Sequence, residues 1–224
     1  KKLVKNSFLE NQSIFKVSTT KNVGIEEVKS HLIESSFSND ESIENSRGLF
    51  RMYVDRSFSQ QGFGTVVTGT VISGEVEVGQ SLYVLPIEKQ ARLRSAQSHH
   101  NNVEYLKLGD RAALNLNGIE KKQIERGDHL SNLNVFESIQ IFLAKISLLD
   151  NENIRLKQNQ RLRFHIGTSE VIGRISICHK NNLNRSESGM CLIKLEEPIV
   201  ISFQDKFLIR TYSPMKTIGG GIVE

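Results

Sequence analysis

Apolar and polar positions follow two regimes along the chain. Over residues 24–35 the apolar residues recur at helical spacing, with Ile25, Val28 and Leu32 on one face. Glu26 and Glu27 fall in the first turn, where they complement the helix dipole. Before this helix, residues 13–17 (SIFKV) predict a short strand, and Ser18-Thr19-Thr20-Lys21-Asn22 a polar loop. Residues 1–12 read as the end of a helix and a turn. Residues 36–47 (SFSNDESIENSR) are polar and aperiodic, which marks a linker.

From Gly48 the period changes to two, and no helical pattern of useful length follows. Phe50, Met52 and Val54 alternate with Arg51, Tyr53 and Asp55, so one face is core and the other faces solvent or ligand. Further strands are predicted at 49–58, 64–73, 81–87, 90–99 and 110–117, with 128–131 closing the block and 118–127 a charged loop. Within residues 62–82 (GFGTVVTGTVISGEVEVGQSL), β-branched residues dominate 65–72. Gly69 interrupts that run, which marks a bulge, a tight bend or a close backbone approach. A second block begins near Val135, with strands at 139–149, 161–166, 171–178, 190–195, 205–211 and the terminal TIGGGIV run. Short strands punctuated by turns suggest barrels or sandwiches. Two blocks of about 90 residues can each bury a small core.

Composition narrows the chemistry. The net charge of +4 permits a nucleic-acid partner without requiring one. The lack of Trp counts against a base-stacking platform for single strands. Two cysteines, Cys178 and Cys191, read as buried strand residues in a reducing compartment. No apolar run reaches the roughly 18 residues of a membrane span, and no signal peptide is visible. The first residue is not Met, and we expect a fragment of a longer protein.

Candidate sites are few. Gly62 and Gly64 precede a strand, so they form a turn and not a phosphate loop, and no GxxxxGK[ST] is present. His99-His100 is an adjacent pair without metal-ligand spacing, and neither Cys178-His179 nor Cys191 has zinc spacing. No catalytic constellation and no metal site is expected. Glu196-Glu197 before Pro198 reads as a turn. Arg92 with Arg94, and Arg161 with Arg163, alternate on strand faces; such stripes can track phosphates, though a solvated face is the commoner explanation. An Asp-Arg pair such as Asp55-Arg56 is usually a surface ion pair worth under about 1 kcal/mol.

The run YVDRSF…GFGTVVTGTVISGEVEVGQSL resembles the second domain of translational GTPases of the elongation factor Tu superfamily. Within them it is most similar to the SelB family, the factors specific for selenocysteine. GDRAALNLNG…IERGDHL resembles the end of the same barrel, and FHIGTSEVIGRI and TIGGGIV resemble the third domain. Lys16-Val17-Ser18-Thr19 resembles the last motif of the G domain, a mild departure from its usual Ser-Ala. The resemblance implies a mainly β fold: two consecutive elongation-factor-type β-barrels, at 48–134 and 135–224, after a strand-loop-helix remnant of an α/β GTPase domain at 1–35 and a linker at 36–47. It implies that Ser18, Thr19 and Thr20 are the remnant of a guanine-proximal loop. Asp55, Arg56 and Arg111 match the family's selenocysteyl pocket, and Arg92, Arg94, Arg161 and Arg163 become candidate contacts to the tRNA backbone.

The implied partners are selenocysteyl-tRNA, the ribosome and, through C-terminal modules outside this sequence, an mRNA hairpin, all in the cytoplasm. GTP and Mg2+ belong to the parent protein, and the fragment alone is expected to be inactive as a GTPase. The physical logic is charge selection. A selenol is more acidic than a thiol, whose reference pKa is about 8.5, while a serine hydroxyl stays neutral. A unit pair at about 4 Å and an effective dielectric of about 20 interacts by about 4 kcal/mol, so two arginines can prefer selenolate to serine. Asp55 then orients an arginine or accepts from the aminoacyl amine. The rival readings are another translational GTPase of the superfamily and a β-barrel module that docks a partner protein.

Overall fold

The computed structural model describes residues 11–37, 48–60, 64–150 and 154–224. The chain divides into two compact units, one ending at Arg47 and the other beginning at Gly48. Gly62, Phe63, most of the expected linker and most of the expected N-terminal helix end lie outside the described residues.

In the first unit, helix α1 (Ile25–Phe37) forms where expected and runs slightly longer. The strand expected at 13–17 does not form. An extended segment becomes a strand only with a neighbour to complete its ladder, and here the pairing is one bridge, Ser18 to Val23. Ser18 Oγ lies 3.2 Å from Thr20 Oγ1 and accepts from Lys21 N at 3.3 Å, which closes a tight polar turn before the helix. Leu32, expected on the apolar face, is exposed.

The second unit holds two barrels. The first is built from β1 (Arg51–Gln60), β2 (Gly64–Ser73), β4 (Ser81–Leu85), β5 (Lys89–Ser98), β8 (Arg111–Asn117) and β9 (His129–Ser131). They run in the order β4-β9-β1-β2-β8-β5, closed by a β4–β5 pairing, with β6 (Asn101–Val103) added beside β5. The short strands β3 (Glu75–Glu77) and β7 (Tyr105–Lys107) pair as a separate ribbon. Phe50, Met52, Val54, Leu82, Leu93 and Leu114 fill the core, so the inward half of the expected alternation holds. The outward half differs: Arg51 and Tyr53 are buried as well, because this face of β1 meets the second barrel and not solvent.

The second barrel closes as β10-β15-β13-β12-β16-β17, from β10 (Ser138–Leu148), β12 (Arg161–Ile166), β13 (Ser169–Ile177), β15 (Ser188–Val200), β16 (Lys206–Thr211) and β17 (Thr217–Val223). A ribbon of β11 (Arg155–Lys157) and β14 (Asn182–Asn184) flanks it. Ile146, Leu162, Phe164, Ile175, Ile193 and Ile209 form its core. Glu196 and Glu197 lie inside β15 and not in a turn, since the ladder with β10 resumes beyond them at Ile199 and Val200. Cys191 is buried in β15 as expected, its thiol pushed up to about 11 by burial, whereas Cys178 lies just past β13 and is only half-buried.

The barrels are joined through a buried polar cluster. Arg51 donates to both carboxylate oxygens of Asp205, at 3.1 and 2.8 Å, and through Nε to His129 Nε2 at 3.2 Å. Tyr53 donates its hydroxyl to Asp205 at 2.9 Å, and Ser202 donates its backbone N–H at 2.8 Å. The guanidinium lies 4.8 Å from the Phe136 ring centroid, and Phe136 stacks on His129. Burial, reinforced by Asp205, raises the Tyr53 phenol well above its ordinary value. Burial, with Arg51 adding to it, pushes the His129 imidazole down to about 3, so that it stays neutral in the fold. Gly167, in the β12–β13 turn at φ +55°, sits under Tyr53; a Cβ there would meet the ring at 2.6 Å.

Candidate aminoacyl-binding site

The site begins with a count along two strands. Val54 of β1 pairs with Gly69 of β2, but Arg56 pairs with Thr68, so Asp55 is the extra residue of a β-bulge. Bulges re-aim a side chain, and this one sends the Asp55 carboxylate across β2. The bulge brings the Tyr53 carbonyl against Gly69, where any Cβ would overlap that oxygen and lie 2.9 Å from Met52 Cγ. That close approach is the reason for glycine in a run of β-branched residues.

Across the sheet, Gly69 pairs with Ala112 and Thr70 with Arg111, which opens β8. Arg111 donates through Nη1 to Asp55 Oδ2 and, at 3.3 Å, to Thr70 Oγ1. The sequence therefore names two residues that the fold brings together although they stand 56 positions apart. Thr70 was not among the expected site residues; its only signal is its place one step beyond Gly69. The Arg111 side chain remains 52% exposed and that of Asp55 25%, so an arginine held by a carboxylate still presents its remaining N–H groups to solvent. Arg56 is exposed, and among the described residues no side chain pairs with it.

The bulge is held from behind as well. The Val54 carbonyl accepts from Gly127 N at 3.0 Å and from Thr168 Oγ1, on the β12–β13 turn of the second barrel, at 2.7 Å. The Val54 N–H donates to the Asp128 carbonyl at 2.9 Å. Burial raises the Asp128 carboxyl to about 6. A cleft of ≈ 550 Å³ opens between the barrels here, lined by Glu125, Arg126, Asp128, His165, Thr168 and Glu170 among others; neither Asp55 nor Arg111 lines it.

The other expected cations sit in different surroundings. Arg92 donates to the Gly79 carbonyl at 3.1 Å, and Arg94 is exposed at a β5 irregularity. Arg161 makes a two-pronged pair with Glu196, at 2.7 and 2.6 Å, and lies 4.4 Å from the Tyr212 ring centroid. Arg163 pairs with Glu170 and shares the same ring at 5.1 Å. The outer face of the second barrel thus carries arginines already partnered by carboxylates.

Residues 64–131 match the family model of elongation factor Tu domain 2, and residues 143–223 match that of the selenocysteine-specific elongation factor β-barrel domain. The selenocysteine-specific elongation factor of Desulfomicrobium baculatum is 31% identical over 96% of this chain and 34% of its own length. The protein of that name from Methanocaldococcus jannaschii is 31% identical over 90% of this chain and 45% of its own. The apo crystal structure of the translation elongation factor SelB from Methanococcus maripaludis superposes with a TM-score of 0.81 at 29% identity, covering 96% of this chain and 50% of that one. The chain therefore spans a third to a half of the length of these relatives. No helix among the described residues is long and apolar enough to cross a membrane.

Proposed function

We propose, from the premise that this chain belongs to the selenocysteine-specific elongation factor family, that it is the part of such a factor that holds selenocysteyl-tRNA for GTP-dependent delivery to the ribosome. The first barrel receives the aminoacyl end, and the second barrel lies along the tRNA backbone. Helix α1 and the Ser18–Thr20 turn are the tail of the G domain, whose loop lies near the guanine. The factor works in the cytoplasm with the ribosome. The mRNA hairpin is read by modules outside this sequence.

The observation that carries the reading is the bulge that points Asp55 at Arg111 on an open face. The carboxylate fixes the guanidinium and leaves N–H groups free, the arrangement needed to receive an anion without reorganisation. Arg56, exposed beside it, adds the second positive charge. A selenolate is favoured there over a neutral serine hydroxyl by charge, while Thr70 limits the arginine's freedom. Arg92 and Arg94 contact phosphates directly, whereas Arg161 and Arg163 do so after exchanging Glu196 and Glu170 for phosphate oxygens. GTP and Mg2+ serve the whole factor. This chain has no phosphate loop to hold them, so no step here runs through the nucleotide. Neither the general elongation-factor reading nor the interaction-module reading gains support from a specific observation.

The test is protection of the aminoacyl ester against hydrolysis by the full-length factor with GTP, comparing selenocysteyl-tRNA, seryl-tRNA on the same tRNA, and bulk aminoacyl-tRNA. Protection of the selenocysteyl form alone is expected. Arg111→Ala should cost that form about 2 kcal/mol, half the screened Coulomb term, and seryl-tRNA little. An equal loss for both would remove the charge-selection role.

A further inference from the structure

Val54, Gly69, Ala112 and Ser98 stand side by side on β1, β2, β8 and β5. One step along the sheet, Thr70 and Arg111 form the next pair, and the chain leaves β5 after Ser98 with His99. His99 and His100 are the two residues of the β5–β6 hairpin loop, since Ser98 pairs with Asn101. The ladder Gln97↔Ala113, Ser98↔Ala112 runs straight toward Arg111, which brings the hairpin tip about one strand spacing from it, roughly 5 Å.

Both histidines adopt left-handed backbone angles, φ +51° and +68°. A two-residue loop of that form is the one asparagine-glycine fits best, and histidine is among the few other residues that accept left-handed angles. The backbone therefore tolerates an imidazole at either position. The first is also oriented: Ser98 Oγ lies 3.1 Å from His99 Nδ1, and Asn101 Nδ2 reaches the His99 carbonyl at 3.5 Å. When the Ser98 hydroxyl donates to Nδ1, the ring proton sits on Nε2, so that nitrogen is the outward donor. His99 is exposed.

We infer that His99 is a further specificity-determining residue of the aminoacyl site, its Nε2–H donating to the same anionic side chain that Arg111 receives. The inference rests on the selenocysteyl reading proposed above and adds a donor from the turn that follows a fourth strand. His99 contributes direction where arginine contributes charge: a donor aimed from the side of β5 favours an anion placed between the two strands over one drifting toward solvent. His100 lies one residue further round the turn and has no such role.

The experiment uses the full-length factor with GTP and reads ester protection of selenocysteyl-tRNA and seryl-tRNA beside thermal unfolding. His99→Asn keeps a residue that tolerates the left-handed turn, and His100→Gly relieves the second position. Expected for His99→Asn is an unchanged or raised unfolding temperature with about a tenfold loss of selenocysteyl protection, the scale of one hydrogen bond to a charged group, and little change for seryl-tRNA. His100→Gly should raise stability and leave both protections intact. Unchanged selenocysteyl protection in His99→Asn, while Arg111→Ala loses it, would overturn the role of His99 alone. Loss in neither variant would remove the aminoacyl reading itself, and equal loss for both tRNAs in His99→Asn would assign His99 to the tRNA and overturn the specificity role.

Discussion

Replacing Arg51 by Met tests what joins the barrels. The Arg51 and Asp205 side chains are 11% and 13% exposed. Removing one partner of a buried pair typically costs about 3–5 kcal/mol, because the remaining charge loses its compensation. Here Asp205 keeps two donors, the Tyr53 hydroxyl and the Ser202 N–H, so the lower end applies, about 3 kcal/mol. Met fills much of the vacated volume and keeps contact with Phe136, so little of the loss should come from a cavity. For a unit of this size that is a fall of about 6–12 °C in midpoint. The assay is urea unfolding of the chain, with Asp205→Leu and the double variant completing a cycle. The double variant leaves no orphaned charge but strips the acceptor from the Tyr53 hydroxyl and the Ser202 N–H, so it should recover only part of the loss. A cost under about 1 kcal/mol for Arg51→Met would place the pair among ordinary surface bridges and refute the clamp.

Two other perturbations follow from the same region. Gly69→Ala drives a methyl into the Tyr53 carbonyl, so it should cost about 3 kcal/mol in urea unfolding and, by flattening the bulge, weaken selenocysteyl protection as Arg111→Ala does. His129 and Asp128 make opposite contributions to the pH dependence of stability. The folded imidazole, at about 3 against about 6.5 unfolded, binds fewer protons than the unfolded chain between those values, so stability falls as pH drops, by up to about 1.4 kcal/mol per pH unit. The folded Asp128 carboxyl, at about 6 against about 3.9 unfolded, binds more, so its contribution is present at low pH and lost as pH rises through 6. Asp128 is partly exposed, which weakens its share by solvent screening. Urea midpoints between pH 4 and 6 should therefore vary gently in the native chain and steeply in Asp128→Asn; equal slopes in the two would contradict the offset.

The long strands were legible because a strand buried on one face writes its period into the sequence. Residues 64–73 and 161–166 match the observed β2 and β12 to the residue. Five of the six three-residue strands among the described residues, β3, β6, β7, β11 and β14, were not, since three positions are too few to show an alternation; the sixth, β9, was expected as the segment closing the first block. Gly69 announced an irregularity, but not that the extra residue would be Asp55 on the facing strand, because a bulge is a property of a pair. Arg111 became a partner of Asp55 only through a ladder that no local spacing encodes. Arg51 and Tyr53 read as an outward, wet face for the same kind of reason: alternation shows which side of a strand is apolar, and nothing local says that a second barrel supplies Asp205.

The hydrogen bond from Thr168 to the Val54 carbonyl has a consequence for how the bulge is held. Val54 immediately precedes the bulged Asp55, so the pitch of the Asp55 carboxylate is set in part by a turn belonging to the neighbouring barrel. Under the proposed aminoacyl reading, substrate preference is then a joint property of the two barrels. A first barrel excised alone could keep its core and still lose its discrimination. Sequence drift in the β12–β13 turn, which stands more than 110 residues downstream of Val54 in the chain, would then retune the proposed site without touching Asp55, Arg56 or Arg111.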